Sequence, residues 1–283
     1  MRHLLSIRNL TAADLQWILA ASEQPHPRPL DGKGVALYFE KPSARTRNSM
    51  ELAAAQLGGH PVYLQPAELG IGTRESVADV THTLACYHAI IAARVFDHGL
   101  LEQMAAVEAA PVLNMLSATD HPLQALADLL TIKQLLGRLQ GVKVGFIGEA
   151  NNVSRSLAEG CALAGAEFVI ASPEGYGFGP GSGVRQLRDP EDAVEGADIV
   201  YTDVWVSMGD EDSNERRAAF EPFRVDEALM ALAPNARFLH CLPARRGEEV
   251  TAPVIDGSRS AVWRQAENRM HSARGAMLWM SGA

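Results

Sequence analysis

Basic charge is scarce in this chain: 25 lysines and arginines stand against 34 acidic residues, for a formal net charge of −9. Backbone binding to nucleic acid needs an extended basic face, so nucleic acid is excluded as a main partner. The local basic residues must serve a small anion instead. Cysteine is scarcer still, with Cys86, Cys161 and Cys241 widely spaced, odd in number and outside any Cys-x-x-Cys pair. Such a set supports neither a disulfide framework nor a zinc site, so no metal is expected and a reducing compartment is implied. No apolar run reaches the ~18 residues of a membrane span, which excludes a membrane partner. Met1-Arg2-His3-Leu4-Leu5-Ser6 has too short an apolar core for a signal peptide, and the expected location is cytoplasmic. Internal repeats and low-complexity tracts are absent as well. A Gly-rich stretch from Gly175 to Gly183 reads as a mobile loop.

What is present is an ordinary globular composition, 47% hydrophobic and 21% charged over 283 residues, enough for about two domains with sizeable cores. Thr11 caps a first helix beginning Ala12-Ala13-Asp14-Leu15, and a Pro-rich connection from Gln24 to Gly32 leads to the first strand. Short apolar runs then alternate with helix-like segments. The candidate strands are Val35–Phe39, Pro61–Leu64, Ala89–Ala93 and Val112–Met115, followed after an amphipathic stretch from His121 to Leu136 by Val142–Ile147, Phe168–Ala171, Ile199–Thr202 and Phe238–His240. This βα alternation predicts the α/β class with parallel sheets, and ligands at the carboxyl ends of the strands. Two doubly wound sheets joined by one linking helix are the simplest arrangement.

The strongest local signal is Phe39-Glu40-Lys41-Pro42-Ser43-Ala44-Arg45-Thr46-Arg47. A strand ends there, and a helix opens with Ser43 as its N-cap. Its first turn would offer free backbone N–H groups, the Ser43 and Thr46 hydroxyls and the Arg45 and Arg47 guanidiniums, which together suit a phosphate. The same residues read equally well as a solvated helix start. Taken alone, Arg94 is a strand-end charge, His121 a helix cap or core residue, Asp203 a helix cap before a turn, and Cys241 inert packing. After Val142–Ile147 a dinucleotide fingerprint might have stood, but Gly145-Phe146-Ile147-Gly148-Glu149-Ala150-Asn151-Asn152 lacks G-x-G-x-x-G, which disfavours a nicotinamide dehydrogenase.

Taken together and in order, Ser43-Ala44-Arg45-Thr46-Arg47, Arg94, His121-Pro122-Leu123-Gln124, Asp203-Val204-Trp205-Val206-Ser207-Met208-Gly209, His240-Cys241-Leu242-Pro243 and Ala266-Glu267-Asn268-Arg269 resemble the aspartate/ornithine carbamoyltransferase family. The last three motifs resemble its ornithine branch. The corresponding stretch of the aspartate branch looks like His-Pro-Leu-Pro-Arg, from which Cys241 points away. The resemblance covers nearly the whole chain. It implies a carbamoyl phosphate-binding domain over 1–134, completed by a C-terminal helix at 264–283 that crosses back to it, and an ornithine-binding domain over 135–263. It also implies transfer of the carbamoyl group from carbamoyl phosphate to the δ-amine of L-ornithine, with no cofactor.

Residue by residue, the resemblance places Ser43, Arg45, Thr46 and Arg47 on the phosphate. Arg94 and His121, with Thr46 shared, fall on the carbonyl oxygen. Gln124 falls on the carbamoyl nitrogen, and Leu242 and Arg269 complete the carbamoyl phosphate site. Asn152, Asp203, Ser207, Met208 and Cys241 would take ornithine, with Cys241 beside the attacking amine and Asp203 as its partner. Arg94, His121, Asp203 and Cys241 are therefore the implied catalytic set, and Asp128, one turn beyond Gln124, reads as structural. A homotrimer with shared active sites is implied too, through the loop from Glu68 to Ser76.

Four departures from the family pattern are visible. Ala44 replaces a Thr or Leu, Glu149 an Asp, and Gly70 a Gln or His, while the stretch from Phe178 to Asp189 looks trimmed by a strand and a helix. Two alternatives remain: another amine acceptor, such as putrescine or an acylated ornithine, and a catalytically idle ligand-binding relative.

Overall fold

The computed structural model describes residues 1–25, 27–206 and 213–282. It divides into two compact units, Met1–Leu130 with Glu267–Ala283, and Thr131–Ala266. Ser207 and Met208 lie outside the described residues.

The first unit is built on four parallel strands, β1 (Gly34–Phe39), β2 (His60–Leu64), β3 (His88–Arg94) and β4 (Val112–Leu116), in the order β2-β1-β3-β4. Its helices are α1 (Ala12–Glu23), α2 (Ala44–Gln56), α3 (Pro66–Leu69), α4 (Val77–Ala85), α5 (His98–Ala106) and the first part of α6 (Pro122–Leu136). The central strands are buried almost throughout, as expected when helices cover both faces of a parallel sheet. Ala36, Ile91, Val112, Leu101 and Met104 belong to one of its apolar clusters. Helix starts follow their caps: the Thr11 and Asp14 side chains form a reciprocal capping box on α1, Ser43 caps α2, and Asp97 caps α5.

The second unit carries β5 (Lys143–Ile147), β6 (Glu167–Ala171), β7 (Arg185–Leu187), β8 (Ile199–Thr202) and β9 (Arg237–His240), all parallel, in the order β7-β6-β5-β8-β9. Helices α7 (Asn152–Ala164), α8 (Pro190–Val194), α9 (Asn214–Phe220), α10 (Glu227–Ala231) and α11 (Ala252–Ile255) join them. Helix α12 (Val262–Ser281) begins in this unit and from Glu267 belongs to the first, so the fold class expected from the βα alternation is the one observed. Ile147, Val169, Val200 and Phe238 bring four strands into the core here.

Strand β7 has no counterpart among the sequence-predicted strands. Its residues, Arg185-Gln186-Leu187, pair only with β6 and are mostly exposed, so an edge position demanded no apolar run that could have revealed it. It lies within Phe178 to Asp189, the stretch that looked trimmed in the sequence, and α8 begins directly after it at Pro190. Gly145, at the middle of β5, is required by close packing: a Cβ there would lie 2.5 Å from the Ala193 carbonyl oxygen of α8. Among the described residues no helix is long and apolar enough to cross a membrane.

In both units the polar residues of interest follow the carboxyl ends of strands. Ser43 comes after β1, Arg94 ends β3 and His121 comes after β4; Asn151, Asp203 and Cys241 follow β5, β8 and β9. This is where the crests of parallel sheets place ligands.

Candidate active site

In the first unit, the start of α2 gathers a set of donors. The Ser43 side chain accepts from the Thr46 backbone N–H at 3.4 Å, and its hydroxyl donates to Thr46 Oγ1 at 3.1 Å. From β3, Arg94 Nη1 donates to the same Thr46 Oγ1 at 3.1 Å. Thr46 and Arg94 are both buried, and Arg94 makes no ion pair among the described residues. Burial and the neighbouring cations Arg269 and Arg45 draw the Arg94 guanidinium down to a pKa of about 10. A buried cation surrounded by other cations is an arrangement that an anion relieves.

Helix α12 delivers Arg269 to this group. Its Nη1 lies 3.1 Å from His121 Nε2 and donates to Gln124 Oε1 at 2.5 Å. Arginine has no acceptor, so in this contact the His121 Nε2 uses its lone pair and the ring proton sits on Nδ1. Burial, then Arg269 and Arg94, hold the His121 imidazole well below its ordinary 6.5, and the ring is neutral at pH 7. Ser43, Thr46 and Arg94 thus form one hydrogen-bonded group and His121, Gln124 and Arg269 a second, and the charges of Arg94 and Arg269 bear on both; Arg45 is exposed. Arg47 makes contacts of its own. Its Nε donates to Glu51 at 2.7 Å and its guanidinium lies 4.1 Å from the centre of the Tyr63 ring.

In the second unit, Asp203 is the hub. Its carboxylate accepts from the Val204 N–H at 2.8 Å, from Asn151 Nδ2 at 3.0 Å and from the Cys241 thiol at 2.9 Å. Sequence reasoning singled out Asn152 and passed over Asn151. Asn152 is the first residue of α7 and half-buried, whereas Asn151 caps the helix, its Oδ1 accepting from Val153 and Ser154 N–H groups. With that oxygen committed, the amide nitrogen must face Asp203. The Asn-x-x-Ser spacing of a capping box was the available signal. A second contact absent from the sequence reading is the Glu149–Arg216 ion pair, whose guanidinium also bonds the Trp205 carbonyl at 2.5 Å.

Asp203, His240 and Cys241 offer three possible metal ligands within 4.8 Å of one another. The donor chemistry of His240 argues against a three-ligand site. Its Nδ1 accepts from the Leu242 N–H at 2.9 Å, so its proton sits on Nε2, 3.1 Å from Glu249 Oε1, and no lone pair remains for a metal. That same contact holds the turn at Leu242, whose φ of 59° is a left-handed conformation unusual for a branched side chain.

Two parallel α/β units, one with a buried cation cluster at a helix start and the other with a thiol held on a carboxylate, define a class of two-domain enzymes that bind a small anion and a second, polar reactant. Residues 2–134 match the carbamoyl-P binding domain of aspartate/ornithine carbamoyltransferases, and residues 140–280 match their Asp/Orn binding domain. The chain belongs to that family. It is 45% identical to an ornithine carbamoyltransferase of Hyperthermus butylicus, with 98% of this chain and 96% of the relative covered. A relative from Bacillus subtilis with the same description is 45% identical over 95% of this chain and 91% of its own length. Among solved structures, the ornithine carbamoyltransferase from Pyrococcus furiosus aligns with a TM-score of 0.93 at 43% identity, covering 100% of this chain and 97% of the other.

Proposed function

We propose that the chain transfers the carbamoyl group of carbamoyl phosphate to the δ-amine of L-ornithine, giving L-citrulline and phosphate in arginine metabolism. The amine attacks the carbonyl carbon, the bond to the phosphate oxygen breaks, and the amine sheds one proton. Ser43, Arg45 and Thr46, with the free N–H groups of α2, take the phosphate and stabilise it as it leaves. Arg47 is assigned a place at the rim of that site. Arg94, His121 and Thr46 face the carbonyl oxygen, where charge grows during attack; a neutral His121 adds a dipole there without adding to the cationic crowd. Gln124 and Leu242 orient the carbamoyl NH2, and Arg269 closes the phosphate side. Asn152, Asp203, Ser207, Met208 and Cys241 bind ornithine. No cofactor enters this chemistry: holding two reactants in line supplies most of the rate.

The observation that carries the reading is the Cys241–Asp203 contact at 2.9 Å, on a fold shared with ornithine carbamoyltransferases. An ammonium cannot attack, and the Asp203 carboxylate, which also holds the Cys241 thiol, can receive the proton it must lose. The direct test offers ornithine, putrescine, acetylornithine and aspartate singly with carbamoyl phosphate and measures phosphate release. Ornithine is expected to give the highest kcat/KM, and a higher value with putrescine or acetylornithine would overturn the assignment.

We also infer a cytoplasmic homotrimer in which the loop from Glu68 to Ser76 completes a neighbour's site. Gly70, with φ 59°, has no side chain to offer there, and a Cβ on it would fall 2.8 Å from Arg74 Cβ. Arg74 instead braces the loop, its Nη2 donating to the Glu68 carbonyl at 2.5 Å. Sedimentation is expected to show three chains per particle, and Arg74→Ala to weaken carbamoyl phosphate binding. A fully active monomer would exclude the shared-site arrangement.

A further inference from the structure

Asp128 lies on α6 one helical turn beyond Gln124 and is wholly buried. Residues four apart share a helix face, and Gln124 Nε2 donates to Asp128 Oδ1 at 2.7 Å. A carboxylate only accepts, so the amide NH2 must face Asp128 and Gln124 Oε1 must point the opposite way. There it receives Arg269 Nη1 at 2.5 Å. The two orientations of a glutamine amide have almost the same shape, and hydrogen bonding alone decides between them. Here both ends agree.

Only this orientation suits a carbamoyl group. A carbonyl oxygen has two lone pairs, so Oε1 can accept from a ligand NH2 while Arg269 stays in contact. Reversed, the amide would set its own NH2 against the ligand's NH2 and against a guanidinium. As Arg269 turns toward a phosphate, Asp128 becomes the group that keeps the amide in place. We propose that Asp128 is a positioning residue that makes the site prefer an acyl phosphate bearing NH2 over one bearing CH3, carbamoyl over acetyl phosphate. This rests on the reading of the anion site given above.

The test uses the full chain with ornithine as acceptor and compares the KM for carbamoyl phosphate with the inhibition constants of acetyl phosphate and inorganic phosphate. Asp128→Leu, close in shape but without hydrogen-bonding capacity, is expected to lower the ratio of the acetyl phosphate constant to the carbamoyl phosphate KM by about tenfold, the worth of one buried hydrogen bond. Asp128→Asn can present either an oxygen or an NH2 and so tolerates both amide orientations; its ratio is expected to fall about threefold. Inorganic phosphate should change by less than about twofold in both, since it meets no amide. Equal weakening of all three ligands would mean a merely structural role, and an unchanged ratio in both variants would reject the proposal. Should the Leu variant fail to fold, the Asn variant decides. A wild type that binds none of the three would instead reject the anion-site reading, and this proposal with it.

Discussion

Replacing Arg94 with alanine is expected to lower kcat by an amount corresponding to roughly 2–4 kcal/mol of transition-state stabilisation, while free phosphate binds almost as well as before. Arg94 reaches Thr46 from β3, whereas Arg45 belongs to the first turn of α2, so the two address different parts of one ligand. Arg45→Ala should show the opposite pattern, weakening phosphate and carbamoyl phosphate alike. Two further consequences follow from the crowding of cations. Arg94 is one of the charges that hold His121 below its ordinary value, so its removal should let the His121 pKa move up, a shift that NMR titration of the ring reads directly. The unliganded variant should also lose little thermal stability, because the deleted charge was buried without an anionic partner. Equal losses of phosphate affinity in both variants would refute the division of labour.

Asp203→Ala is expected to raise the KM for ornithine by about two orders of magnitude and to leave carbamoyl phosphate affinity close to wild type. Losing a buried charged partner costs on the order of 2–5 kcal/mol, partly because the groups left behind have nowhere to turn. Here those groups are Asn151 Nδ2, the Val204 N–H and the Cys241 thiol, all aimed at the same carboxylate. Cys241→Ser should act in the same direction but more mildly, raising the KM for ornithine with measurable turnover retained, because a hydroxyl can still donate to Asp203. Steady-state kinetics with each substrate varied in turn separates these outcomes. A carbamoyl group trapped on Cys241 in the wild type, with complete loss of activity in the serine variant, would contradict a role limited to the acceptor amine.

The two effects fall in different units, and that division has a physical logic. The first unit concentrates positive charge behind a helix N-terminus, which suits a doubly charged phosphate and would repel an ammonium. The second presents a carboxylate and a thiol, which suit a cationic amino acid. Each unit's electrostatics disfavours the other's ligand.

Much of this was legible in the amino-acid order because it depends on local rules. Eight of the strands follow from short apolar runs, the caps at Thr11 and Ser43 from hydroxyl residues at helix starts, and the parallel topology from the repeated alternation of apolar runs with helix-like segments. The donor set at the start of α2 is equally local, since backbone, cap and hydroxyl lie within four consecutive residues. Edge strand β7 escaped because pairing on one side imposes no apolar pattern on Arg185-Gln186-Leu187. The remaining features are properties of distance, and sequence order carries no distance. Arg269 stands 148 positions from His121 and the Asp203–Cys241 contact spans 38; each pair meets because a helix or strand end delivers it. Arg47 and Arg45 are indistinguishable by residue type, and only the structure shows that Arg47 pairs with the Glu51 carboxylate and lies over the Tyr63 ring. The contacts of Asp128, read from sequence only as structural, and of Asn151 escaped for the same reason: which group lies within about 3 Å of a side chain is decided by the packing of helices on sheets.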